Sequence, residues 1–157
     1  MKDAGYPDAN LHPFAAAGHP KEGGLVAMLP GSDPHMTAVL LLGHIDVVEA
    51  KREDWTRDPF TLIEENGYFY GRGTADMKAQ VAAWEDTMMR LQAEGFRNRR
   101  TITVTLTCAE ATSTAFYGAG SLSTHDADLL DAAFELPEAA RARWDPACRP
   151  VVGSVPA

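Results

Sequence analysis

Residues 37–46 read Thr37-Ala38-Val39-Leu40-Leu41-Leu42-Gly43-His44-Ile45-Asp46, and the first six of them decide the fold class. Neither the odd nor the even positions offer a wet face, so the segment is a strand covered on both sides by other layers. Upstream, Leu25-Val26-Ala27-Met28-Leu29 is a short strand closed by Pro30-Gly31. Residues 1–24 carry Pro7, Pro13, Pro20 and several glycines, which is loop chemistry. Downstream, Tyr68-Phe69-Tyr70, entered through Asn66-Gly67, is a short strand or hairpin arm. From Asp76 to about Glu94 the apolar positions 77, 81, 84, 88 and 91 form one helical stripe that stops at Gly95. Thr101 to Thr107 alternates Ile102, Val104 and Leu106 with threonines and predicts a strand. Residues 118–131 predict a broken helix, and Ala132 to Leu136 a last strand. Strands separated by helix give an α/β fold with a central, largely parallel (mixed) sheet and flanking helices. The expected organisation is a loop-rich segment at 1–24 and a partial catalytic domain at 25–157.

The 157 residues are 45% apolar and carry 14 basic and 22 acidic side chains, a formal charge of 14 − 22 = −8. That composition fills a core and argues against disorder of the whole. The acidic balance, with no basic run longer than Arg99-Arg100, disfavours a nucleic-acid partner. No apolar run exceeds the five residues of Ala38 to Leu42, far short of the ~20 residues of a membrane span, so no membrane partner is expected. Residues 1–10 lack a basic-then-apolar leader, which makes the cytoplasm the expected location. Cys108 and Cys148 match no zinc or redox spacing and read as reduced thiols.

Four polar groups share one position in this layout. His44 follows the strand 37–42, Asp76 follows 68–73, Glu110 follows 101–107 and Glu138 follows 132–136. In a largely parallel sheet these are carboxyl ends, where open α/β folds collect ligands. One imidazole and three carboxylates suit zinc, manganese or cobalt. Asp46, two residues past His44, is placed to accept the ring N–H that a ligand histidine leaves over. Each group also has a plainer reading. His44-x-Asp46 alone suits a hydrogen-bonded histidine, Asp76 alone a helix N-cap, and Glu110 and Glu138 alone solvated loop carboxylates. Gly71-x-Gly73 lacks the third glycine of a dinucleotide loop, and neither Gly-x-Ser-x-Gly nor His-Glu-x-x-His is present.

The wording of three segments goes further than their spacing. Gly43-His44-Ile45-Asp46-Val47-Val48, Trp55-Thr56-Arg57-Asp58-Pro59-Phe60 and Gly71-Arg72-Gly73-Thr74-Ala75-Asp76-Met77-Lys78 closely resemble three successive signatures of the co-catalytic zinc metallopeptidase and aminoacylase family, peptidase family M20. Its members include glutamate carboxypeptidase, carboxypeptidase S and carnosinase-type dipeptidases. The resemblance implies a zinc-exopeptidase-like fold and amide hydrolysis at two zinc ions, with cobalt or manganese as substitutes. It makes His44, Asp76 and Glu138 metal ligands, Asp76 bridging both ions. Asp46 orients His44, and Glu110 is the general base that moves the water proton to the leaving amine. The implied substrate is a peptide or an N-acyl amino acid.

The chain also departs from the pattern. Where the family carries a Glu-Glu pair, this sequence reads Glu110-Ala111, and alanine offers a metal no donor. Ala139 and Ala140 replace the usual glycines after Glu138, and the family's C-terminal histidine ligand has no counterpart before Ala157. The resemblance further implies a preceding helical portion and a second lid or dimerisation domain, so the expectation is an incomplete catalytic domain that dimerises only if that domain is present. Two alternatives follow: a catalytically inactive remnant with at most weak metal binding, or a module that binds partners through exposed sheet edges.

Overall fold

The computed structural model describes residues 1–16, 19–109 and 118–137. Seven strands are described: β1 (Leu11–Ala16), β2 (His19–Leu29), β3 (Ala38–His44), β4 (Ile63–Glu65), β5 (Tyr68–Tyr70), β6 (Ile102–Thr107) and β7 (Ala132–Pro137). Two α-helices accompany them, α1 (Ala79–Ala93) and α2 (Gly118–His125). The main sheet has the order β1-β2-β6-β3-β7. β3 is parallel to both β6 and β7, whereas β1, β2 and β6 pair antiparallel in succession. The sheet is therefore mixed, with its parallel half formed by β6, β3 and β7.

β3 is covered on both faces, as its two-sided apolarity requires. Leu41 packs into a cluster formed by Leu11, Ala27, Leu29, Met77, Val81, Met88, Val104 and Leu106. Ala38 and Leu40 face a smaller cluster with Ala132, joined by Leu42 and Leu130. β6 is buried just as fully: Thr103, Thr105 and Thr107 are as enclosed as Val104 and Leu106. The stripe of α1 lies on the larger cluster, with Val81 and Met88 buried and Trp84 and Leu91 against them. Each fully buried side chain of that size contributes about 1.5–3 kcal/mol.

The helix ends as its glycine predicts. Gly95 adopts φ 63° and donates to the Gln92 carbonyl, while Phe96 N–H reaches Leu91 O at 2.9 Å, the paired bonds of a Schellman stop. The start differs from the expected Asp76, because Asp76 (φ −129°, ψ 98°) and Met77 (φ −134°, ψ 28°) are not helical and α1 begins at Ala79.

Two further expectations are revised. Residues 11–16 and 19–24, read from composition as loop, form the outer hairpin of the main sheet, because Leu11 and the adjoining Leu25 gain apolar cover in the core cluster that proline and glycine counts do not register. Tyr68–Tyr70 pairs only with Ile63–Glu65, in a separate two-stranded sheet turned by Asn66 (φ 53°) and Gly67 (φ 78°). All three of its residues are exposed, so no core face draws it into the main sheet. Among the described residues no helix is long and apolar enough to cross a membrane.

Candidate metal centre

His44 is the last residue of β3 and stands in register with Thr107 of β6. Its ring is buried, its side chain only 5% exposed. Asp76 arrives differently from the sequence expectation, since β5 lies outside the main sheet and Asp76 sits in the loop between β5 and α1. That loop is a compact turn. Gly73 has φ 85°, the Thr74 hydroxyl donates to Gly71 O at 2.9 Å, and Lys78 N–H donates to Gly73 O at 2.9 Å. The Asp76–Met77 peptide bond is cis. No side chain caps α1, so Asp76 is not spent as an N-cap; its carboxylate faces His44 instead.

Asp76 Oδ1 lies 3.2 Å from His44 Nε2. On the other side of the ring, His44 Nδ1 is 2.9 Å from the main-chain carbonyl of Asp46 and 3.4 Å from its Oδ1. Asp46 thus holds the imidazole chiefly through its backbone and only secondarily through the carboxylate that the sequence singled out. A carbonyl can only accept, so Nδ1 carries the proton and donates it there. In the neutral ring Nε2 is then a lone pair aimed at a carboxylate oxygen. Two acceptors at that distance repel unless a cation, a proton or a metal ion, lies between them.

The distance suits a metal as well as a proton. Ligands with bonds of about 2.0–2.1 Å at a tetrahedral angle stand about 3.3 Å apart. Asp76 is open to solvent, its side chain 76% exposed, which leaves its second oxygen accessible to another ligand or ion. Imidazole nitrogen and carboxylate oxygen are donors that zinc accepts. On geometry and donor chemistry, the pair fits the ion.

The other two carboxylates, Glu110 and Glu138, lie outside the described residues, as do Ala111 and Cys148. Their strands are nonetheless informative. Glu110 comes three positions after Thr107, which is paired with His44, and Glu138 directly follows Pro137, which is paired with Leu42. β6, β3 and β7 run parallel, so the chain leaves all three strands at one edge of the sheet. Among the described residues no group of three or more His, Cys, Asp or Glu side chains is positioned to hold a metal ion.

Beside Asp76 opens a cleft of about 260 Å³ whose lining includes Trp55, Tyr70, Arg72 and Thr74. The Arg72 guanidinium lies over the Trp55 ring, 5.1 Å from its centre, and Arg57 stacks 4.3 Å from the centre of Tyr70. Arg57 also pairs with Glu65. These contacts tie the β4–β5 hairpin and the segment around Trp55 to the turn that carries Asp76. The Met77 sulfur accepts from the His44 N–H and the Thr107 hydroxyl donates to the Gly43 carbonyl, contacts that helix periodicity and strand alternation do not reveal.

Residues 40–147, well over half of the chain, match the family model described as peptidase family M20/M25/M40. Human aminoacylase-1 is 40% identical over 77 residues, which are 48% of this chain and 19% of that protein. Rat Beta-Ala-His dipeptidase is 44% identical over 64 residues, 40% of this chain and 13% of its own length. Among solved structures, human carnosine dipeptidase 1 superposes with a TM-score of 0.60 at 30% identity, covering 73% of this chain and 24% of that one. A metallo-carboxypeptidase of Sulfolobus solfataricus shares the fold, with a TM-score of 0.63 at 20% identity over 82% of this chain and 28% of its own. The chain spans about a fifth of the length of the aminoacylases it matches.

Proposed function

The chain belongs to peptidase family M20/M25/M40, and from that premise we propose that it forms part of a zinc-dependent hydrolase cleaving amide bonds in dipeptides or N-acyl amino acids. Residues 25–157, with the hairpin at 11–24 that joins their sheet, are read as part of the catalytic domain. The observation that carries the proposal is the His44–Asp76 pair, with Nδ1–H committed to Asp46 and Nε2 facing the carboxylate at 3.2 Å.

In this reading His44, Asp76 and Glu138 would hold zinc. When bound, zinc supplies a Lewis acid that lowers the pKa of water and polarises the scissile carbonyl. Asp46 keeps the imidazole in its metal-binding tautomer. Glu110 takes the proton from the attacking water and delivers it to the departing amine nitrogen. The cleft beside Asp76 receives the substrate, and the relatives' names direct the first choice of compounds to N-acyl amino acids and β-Ala-His.

The test pairs zinc content with hydrolysis. Asp76→Ala loses zinc and activity together, whereas Glu110→Gln keeps zinc and loses turnover. Equal zinc loss in both variants overturns the assignment of roles. One sequence feature favours a second reading, a non-catalytic relative: Ala111 stands where the family places a ligand. Protein that binds zinc yet hydrolyses none of the compounds supports that alternative.

A further inference from the structure

The peptide group joining Gly43 to His44 is held at both ends by side chains. Its carbonyl accepts from the Thr107 hydroxyl at 3.3 Å, and its N–H donates to the Met77 sulfur at 3.4 Å, a normal length for a sulfur acceptor. All of these groups are buried: Met77 is 2% exposed, Thr107 1% and His44 4%. The thioether comes this close because position 43 has no side chain. A Cβ on Gly43 would stand 2.8 Å from Met77 Cε, 2.9 Å from the Trp84 ring and 3.2 Å from Met77 Sδ. Met77 also directly follows Asp76, so the residue gripping the backbone of one member of the facing pair is bonded to the other.

We propose that Met77 is a positioning residue of this site, its sulfur fixing the His44 main chain and thereby the imidazole against the Asp76 carboxylate, with the Thr107 hydroxyl bracing the same peptide from its other end. The imidazole hangs from the His44 Cα, so a tilt of that peptide is magnified at Nε2, and ligand geometry tolerates only about 0.5 Å or 10–20°. A sulfur is a soft acceptor, yet within the core a backbone donor that loses its acceptor is costly. The metal part of this inference rests on the proposed function; the backbone part does not.

Met77→Leu conserves volume and removes the acceptor. Met88→Leu is the control, because Met88 is equally buried in the same cluster but nearly three turns along α1. In metal-free protein, Met77→Leu is expected to speed hydrogen exchange of the His44 amide about tenfold and to split the single set of His44 ring NMR signals into several, as the ring loses its fixed orientation. Thr107→Val moves both signals the same way, and Met88→Leu moves neither. Unchanged exchange and ring signals in Met77→Leu, or the same change in Met88→Leu, overturns the proposal. With zinc titrated in, Met77→Leu binds about tenfold more weakly than wild type and Met88→Leu does not, the low end of what losing a supporting contact costs a metal site. Wild-type affinity in Met77→Leu also overturns it. A wild-type chain that takes up no zinc overturns the proposed function instead, and the two metal-free signals still decide the role of Met77.

Discussion

Replacing Gly73 by alanine separates two costs that the turn before Asp76 imposes. Gly73 has φ 85° and ψ 0°, a left-handed conformation that costs an L-residue about 1–2 kcal/mol. Its new methyl would also lie 2.8 Å from Val47 Cγ1 and 3.2 Å from Lys78 Cδ. Lys78 is a flexible chain and can retreat. Val47 is branched and one residue past Asp46, so the strain is passed to the segment that holds His44. Such overpacking adds about 1–3 kcal/mol. Gly95→Ala isolates the first cost, because Gly95 has φ 63° and nothing within 4 Å of its missing Cβ. Urea denaturation is expected to give about 1 kcal/mol for Gly95→Ala and about 2–4 kcal/mol for Gly73→Ala. Zinc affinity falls only in Gly73→Ala. A Gly73→Ala protein no less stable than Gly95→Ala, with unaltered zinc binding, would show that the turn is not braced against the His44 segment.

Zinc added at about 100 times its dissociation constant stabilises the chain by about 2.7 kcal/mol, seen as a higher Tm that Asp76→Ala abolishes and a chelator reverses. Asn98→Ala costs about 1–3 kcal/mol in denaturant titration, because the two N–H groups of the buried Asn98 amide are shared among Leu29 O, Pro30 O and Arg100 O at 3.0, 3.2 and 2.7 Å and tie the residues that follow β2 to those that precede β6. Burial pushes the Tyr6 hydroxyl from 10.0 up to about 12 while it donates to Met28 O at 2.6 Å. The folded state therefore keeps a proton that the unfolded state loses above pH 10, so this contribution is intact below pH 10 and declines between pH 10 and about 12. Tyr6→Phe removes that slope, and an absorbance titration of tyrosinate in the wild type and the variant follows it directly.

The amino-acid sequence carried the fold class, the covered strand at 37–42, the body of α1 and its glycine stop, because hydrophobic period and terminators are local properties of the chain. It also carried the family, since three worded segments in order specify more than any spacing does. The sequence misread one element and left two side-chain roles incomplete, each decided by distant contacts. The outer hairpin escaped composition because residues 11–16 pair with β2 and Leu11 joins a core cluster whose members Leu29, Val81 and Met88 lie far along the chain. Asp76 had the position of an N-cap, and only the turn at Gly73, seated against Val47, aims its carboxylate at a ring 32 residues away. Met77 had the period of a core residue, and its sulfur became an acceptor for the His44 main chain only when β3 and the start of α1 were brought together. Which residues can bind an ion was written in their chemistry; which atom of the imidazole faces the carboxylate, and what holds it there, was settled by packing, because a tautomer is chosen by whatever hydrogen-bond partner the folded chain supplies.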